Sequence, residues 1–181
     1  KGTCYEGGMR VPFIASWAKA GKMNPFKIAR NHLHHEQIGT VMDIYSTILD
    51  ASKSSSPAKH PVDGVSLLPE LSGKANKERP DHFMCHFPHS HRSSYFTSFR
   101  KGDWKLIYRY LTNGGKRKSK DPLAKHELYN LKSDPYETKN LALGNSKKTN
   151  EMIRLMTKQL ENENALFPVR DDIELRPELI K

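Results

Sequence analysis

The sequence predicts an α+β fold, a four-stranded antiparallel sheet with one helix laid across it. Three observations predict it. On either side of Ile107, Trp104, Leu106, Tyr108 and Tyr110 alternate with Lys105 and Arg109, the period of two expected of a half-buried strand. Two more short strand-like runs, His82-Phe83-Met84-Cys85-His86-Phe87 and Glu127-Leu128-Tyr129-Asn130-Leu131, stand before and after that stretch. Met152, Leu155, Met156 and Leu160 then fall on one face of residues 150–164, a helix suited to cover a sheet.

In chain order, residues 1–8 are glycine-rich and polar and read as a loop whose backbone can approach an anion. Arg10-Val11-Pro12-Phe13-Ile14-Ala15-Ser16-Trp17 is a short apolar run and reads as a buried strand, with Pro12 tolerated near its start. Residues 31–37, with His32, His34 and His35, form a connector. Ile38, Val41, Met42, Tyr45, Ile48 and Leu49 recur at helical spacing. Residues 52–61 are a Ser-, Lys- and Pro-rich loop, and Asp63-Gly64 turns the chain into Ser66-Leu67-Leu68-Pro69-Glu70-Leu71. Residues 72–81 are a second polar connector and the expected boundary between subregions. Gly102 and Asp103 supply the tight turn between Thr97-Ser98-Phe99-Arg100-Lys101 and the strand starting at Trp104. Asp134-Pro135-Tyr136-Glu137 has the pattern of a helix start, with a cap, proline at the first position and a capping-box glutamate. Residues 170–181 show little periodicity and are expected to wrap the surface.

Bulk properties narrow the function classes. No apolar run approaches the ~20 residues of a membrane span. Cys4 and Cys85 are too few for a disulfide framework. The chain begins at Lys1 with no secretory signal in view, so it is expected to be processed or a piece of a longer protein. A net charge of +10 favours anionic partners: nucleic acid, an anionic membrane or an acidic polysaccharide. Part of that charge is the run Lys116-Arg117-Lys118-Ser119-Lys120, which reads first as a solvated loop and second as a phosphate- or sulfate-binding segment. It carries no interleaved aromatics, which argues against nucleic acid.

Five stretches, in order, resemble the type I sulfatases. They are Lys1-Gly2-Thr3-Cys4-Tyr5-Glu6-Gly7-Gly8-Met9-Arg10-Val11-Pro12; Asp43-Ile44-Tyr45-Ser46-Thr47-Ile48-Leu49, with Ser46 where the family usually has proline; Asp63-Gly64-Val65-Ser66-Leu67-Leu68-Pro69; Phe99-Arg100-Lys101-Gly102-Asp103-Trp104-Lys105-Leu106-Ile107; and the run from Glu127 through Asp134, Pro135 and Glu137 to Leu141. The resemblance implies an alkaline-phosphatase-like α/β parent fold, with residues 1–73 as the last elements of the large domain. Residues 74–165 would be the antiparallel-sheet subdomain and 166–181 a tail.

By the same resemblance, the parent hydrolyses sulfate esters of an anionic sulfated glycan or an aryl sulfate. Water adds to a formylglycine aldehyde, the diol attacks sulfur and the alcohol departs. Neither cysteine here sits in the Cys/Ser-x-Pro-x-Arg setting that yields formylglycine, and Ser55-Ser56-Pro57-Ala58-Lys59 ends in lysine. The nucleophile and the Ca2+ ligands are therefore expected upstream, in an N-terminal sulfatase domain, and this chain alone is expected to be inactive. Lys1 aligns with the lysine that holds the substrate's sulfate, while Glu6 and Arg10 are expected to pin its loop. His82, His86, His89 and His91 admit three readings: a zinc group, substrate contacts by His86 and His89, or polar loop histidines. The resemblance implies a periplasmic or secreted protein with no membrane or nucleic-acid partner. The alternative is a non-catalytic basic module that binds a polyanion.

Overall fold

The computed structural model describes residues 3–16, 27–29, 31–33, 37–89, 94–112 and 124–181. The elements are α1 (Glu6–Met9), α2 (Asp43–Ser52), α3 (Leu68–Leu71), β1 (His82–Phe87), β2 (Phe96–Lys101), β3 (Trp104–Arg109), β4 (His126–Asn130), α4 (Ser146–Asn162), β5 (Val169–Arg170) and β6 (Ile173–Glu174). They fall into two compact units. One holds the described residues up to Val11 together with those from His82 onward, and the other runs from Pro12 to Asp81. The first unit thus takes in the chain's beginning, which the expected boundaries at 73/74 and 165/166 assigned elsewhere.

In the first unit, β1-β2-β3-β4 form an antiparallel meander in sequence order. Gly102 takes φ +55° at the β2–β3 turn, a conformation that strains any residue with a Cβ. Lys101 pairs with Trp104 across that turn, and Leu106 lies between Phe99 and Leu128. One sheet face carries Phe99, Leu106, Tyr108 and Leu128 into a core closed by Met152, Ile153, Met156 and Leu160 of α4. Met152, Ile153, Met156 and Leu160 repeat at helical spacing because only one face of α4 meets the sheet. The helix begins earlier than the sequence suggests because Asn145 caps it, accepting from the Lys148 amide. Trp104 is partly buried at the edge of the same core, as the apolar face of its strand requires.

Residues 166–181 do wrap this unit. Phe167 joins the core, the Glu178 amide donates to the Tyr108 hydroxyl at 3.1 Å, and the Ile180 amide donates to Asn150 at 2.8 Å. A two-stranded ribbon, β5–β6, interrupts the tail.

Three expectations need correction. The strand around Trp104 is not half-buried, since Lys105, Ile107 and Arg109 are buried too. A second apolar cluster of Cys4, Phe96, Ile107 and Tyr129 fills the opposite sheet face, so both faces are covered. Asp134 starts no helix: it accepts from the Thr138 and Lys139 amides within a loop, and Glu137 takes φ +55°, which no helix admits. Residues 11–16 form no strand, and Val11, Phe13 and Ile14 are exposed. A strand needs a neighbour to take its backbone hydrogen bonds, and residues 11–16 pair with none of the described strands. Trp17 lies outside the described residues.

The second unit is organised by polar groups rather than by an apolar core. The helix expected around residues 38–49 is formed as α2, yet Ile44, Tyr45 and Ile48 are exposed and its one buried residue is Asp43. Asp43 accepts from the Thr40 and Val65 amides and from Arg79. Arg79 donates to Glu70 and Asp43 and to the carbonyls of Ile38, Val65 and Ser66. All five guanidinium donors are thereby used, the condition under which burying that charge is tolerable.

Candidate functional site

The second sheet face positions the chain's first residues. Their sequence is polar and glycine-rich, yet Cys4 is 1% exposed. It sits in the apolar cluster with its sulfur 3.4 Å from Arg109 Nη2, and burial pushes the thiol's pKa up, so the neutral thiol is held. Tyr5 donates its hydroxyl to Glu127 at 2.8 Å and accepts from Arg109 Nη2 at 3.1 Å. Burial first, then the hydrogen bond to Glu127 and that carboxylate's charge, push Tyr5 up to about 12. Tyr129 donates to the same carboxylate at 2.7 Å and is likewise raised, by burial first. Glu127 closes the group with an ion pair to Arg109 at 2.9 Å.

A second ionic group lies one residue further along. Lys105 Nζ is 2.9 Å from Glu6 and 2.8 Å from Glu137, and the Glu6 amide donates to Glu137 at 2.5 Å. The chain then turns through α1, where the Arg10 amide donates to the Glu6 carbonyl. Gly8 is the glycine this turn cannot replace: a Cβ there would meet Thr3 Oγ1 at 2.3 Å, whereas one on Gly7 would meet nothing. Ser98 adds a hydrogen bond to the sulfur of Met9.

Among the expected site residues, Lys1 lies outside the described residues, two positions before Thr3. Glu6 does pin the loop, and Arg10 is exposed. His86 and His89 are not brought together. His86 points to the α4 side, its ring against Tyr110 and Phe167. Its Nδ1 lies 2.7 Å from Thr97 Oγ1 and its Nε2 2.8 Å from the Leu166 carbonyl, so both ring nitrogens are engaged within the fold. His89 is exposed, with its ring 3.9 Å from that of Phe87, which packs against the cluster containing Cys4. His91 and the basic run at 116–120 lie outside the described residues. Among the described residues, no group of three or more His, Cys, Asp or Glu is placed to hold a metal ion. No helix among them is long and apolar enough to cross a membrane.

Sequence reasoning missed Lys105, Arg109, Glu127 and Glu137 as the residues that seat the chain's start. The available signal was two cations alternating with Ile107 on a strand whose neighbour β4 carries Glu127 on the same face.

The family described as N-sulphoglucosamine sulphohydrolase, C-terminal, matches residues 1–165. The chain belongs to that sulfatase family. Human N-acetylgalactosamine-6-sulfatase is 25% identical over 96% of this chain and 34% of its own length. A sulfatase of Formosa agariphila is 29% identical over 88% of this chain and 28% of its own. Among solved structures, a sulfatase of Bacteroides thetaiotaomicron aligns with TM-score 0.52 and 25% identity, covering 67% of this chain and 24% of that one. A 2-O GAG sulfatase gives the same TM-score, identity and coverage. The chain thus spans about a third or less of the sulfatases it matches. Within the sulfatase C-terminal fold, the three stretches containing Tyr5 and Glu6, Lys105, and Glu127 and Glu137 meet on one sheet face.

Proposed function

We propose that this chain is the C-terminal part of a hydrolase of sulfate esters whose substrate is an anionic sulfated glycan. The carrying observation is the seat of residues 4–6 on the sheet, held by Arg109, Glu127, Lys105 and Glu137. Lys1 stands three residues before that seat and is assigned to hold the sulfate. Breaking a sulfate ester gathers negative charge on the sulfate oxygens and the leaving oxygen, and a fixed ammonium stabilises it. The names of the relatives support a glycan substrate, and the net charge of +10 suits an anionic one. His89 is assigned to the substrate rim in preference to His86, whose ring nitrogens are committed. The formylglycine and the Ca2+ ligands are assigned to the sequence before Lys1, and the protein to the periplasm or the cell exterior, on the family resemblance.

The test is Lys1→Ala in the full-length protein, assayed on a sulfate ester. Turnover is expected to fall by about 10²–10³ with thermal unfolding unchanged. Wild-type turnover in that variant would remove the sulfate role from Lys1. The isolated chain is expected to show no turnover of an aryl sulfate.

A further inference from the structure

Lys105 occupies a mid-strand position where alternation calls for a solvated side chain, and its side chain is instead 3% exposed. Burying an ammonium costs several kcal/mol unless it is paired in good geometry. Here Lys105 donates a hydrogen bond to Glu6 and makes a second ionic contact with Glu137, and the two carboxylates are 131 residues apart. Glu6 follows Lys1 by five residues, while Glu137 sits in the loop after β4, held at φ +55°. Glu137 also accepts from the Glu6 amide, so the clamp fixes backbone as well as side chain at Glu6. The sheet has another source of stability on its opposite face, where Leu106, Leu128 and α4 pack. The clamp's distinctive product is therefore a fixed location for Glu6, five residues after Lys1.

We infer that Lys105, together with Glu137, is a positioning residue for Lys1. It does not touch substrate, being enclosed by its two carboxylates. It fixes the chain at Glu6, five residues after Lys1, and so the point from which the Lys1 ammonium is directed toward the sulfate. A charge-stabilising donor works because it is in place before the reaction, and a misplacement of about 1 Å can cost about 10²-fold in rate. The inference rests on the sulfate role proposed above for Lys1, and the experiment separates the two.

The experiment is a double-mutant cycle in the full-length protein: Lys105→Met, Lys1→Ala and the pair, with Lys105→Arg as the conservative variant. Each is assayed for kcat and KM on one sulfate ester and for thermal unfolding. Lys105→Met is expected to lower kcat by about 10- to 10²-fold, with Lys105→Arg recovering most of it. In the Lys1→Ala background, Lys105→Met is expected to cost nothing further. A purely structural role would lower activity by the same factor in both backgrounds, and that result overturns the inference, as does an unchanged kcat in Lys105→Met. If Lys1→Ala alone has no effect, the sulfate role itself fails, and the positioning role goes with it. Should Lys105→Met not fold, Glu137→Gln enters the same cycle, because it keeps an acceptor for the Glu6 amide while removing the charge.

Discussion

Tyr129 and Glu127 sit two residues apart on β4 and share one sheet face, where the phenol donates to the carboxylate at 2.7 Å. The same carboxylate accepts from Tyr5 and pairs with Arg109, so a single glutamate joins the strand pair to the chain's start. Glu127→Gln keeps an acceptor for the two phenols and removes the charge facing Arg109. Leaving a buried cation unpaired is expected to cost about 3–5 kcal/mol, read by urea unfolding of the first unit. Adding Arg109→Met is expected to return part of that loss, since the stranded charge is then gone.

Alkaline titration gives a separate check on both faces of the sheet, Tyr5 reporting on the seat and Tyr110 on the α4 side. Tyr5 and Tyr110 are each raised to about 12, burial being the first cause in both. A phenol with a raised folded pKa stabilises the fold fully below its ordinary value near 10. That contribution is lost as pH climbs from about 10 through about 12. Phenolate absorbance and unfolding followed against pH are expected to change together in that window. In Glu127→Gln the Tyr5 part is expected to move to lower pH, because the carboxylate's charge is gone.

The apolar core under α4 is expected to obey packing arithmetic. Leu106 and Met156 are both fully buried in the core between the sheet and α4. Leu106→Ala or Met156→Ala is expected to cost about 2–5 kcal/mol, measured by thermal unfolding. An effect below 1 kcal/mol would mean that the core closes around the loss.

Arg79 allows a test confined to the second unit. Arg79→Met strands Asp43 and Glu70 and frees three backbone carbonyls. Amide hydrogen exchange is expected to speed up throughout α2 and α3 and to stay slow in β2 and β3. Residues 11–16, which lie outside every strand, are expected to exchange fast in the unaltered protein as well.

Local chemistry made the sheet readable. Gly102 at positive φ, the alternation after Trp104 and the apolar spacing of α4 each depend on neighbours within a few residues. The seat was not readable for the opposite reason. Alternation assigns Lys105 and Arg109 to solvent, and it takes partners outside their strand, among them Glu6 and Tyr5 at 99 and 104 residues away, to turn those positions into interior ones. The same limit applies to Asp134-Pro135-Tyr136-Glu137, whose composition suits a helix start. Glu137 is drawn instead into a left-handed backbone conformation and spends its carboxylate on Lys105 and the Glu6 amide. Residues 11–16 fail in the other direction: their apolar character is genuine, but a strand also needs a strand to pair with. The family motifs carried the order of these pieces along the chain, without showing that three of them meet.

The bond from the Glu6 amide to Glu137 spans 131 residues. During synthesis the residues around Lys1 leave the ribosome long before the part of the chain that seats them exists. At ~5–20 residues per second that delay is roughly 7 to 26 s. A premature stop between Lys1 and Glu137 would leave a protein that still carries the lysine but lacks the carboxylate that takes the Glu6 amide and Lys105. Early truncations and late ones should therefore be equally silent, even when every residue assigned to contact the sulfate has been made.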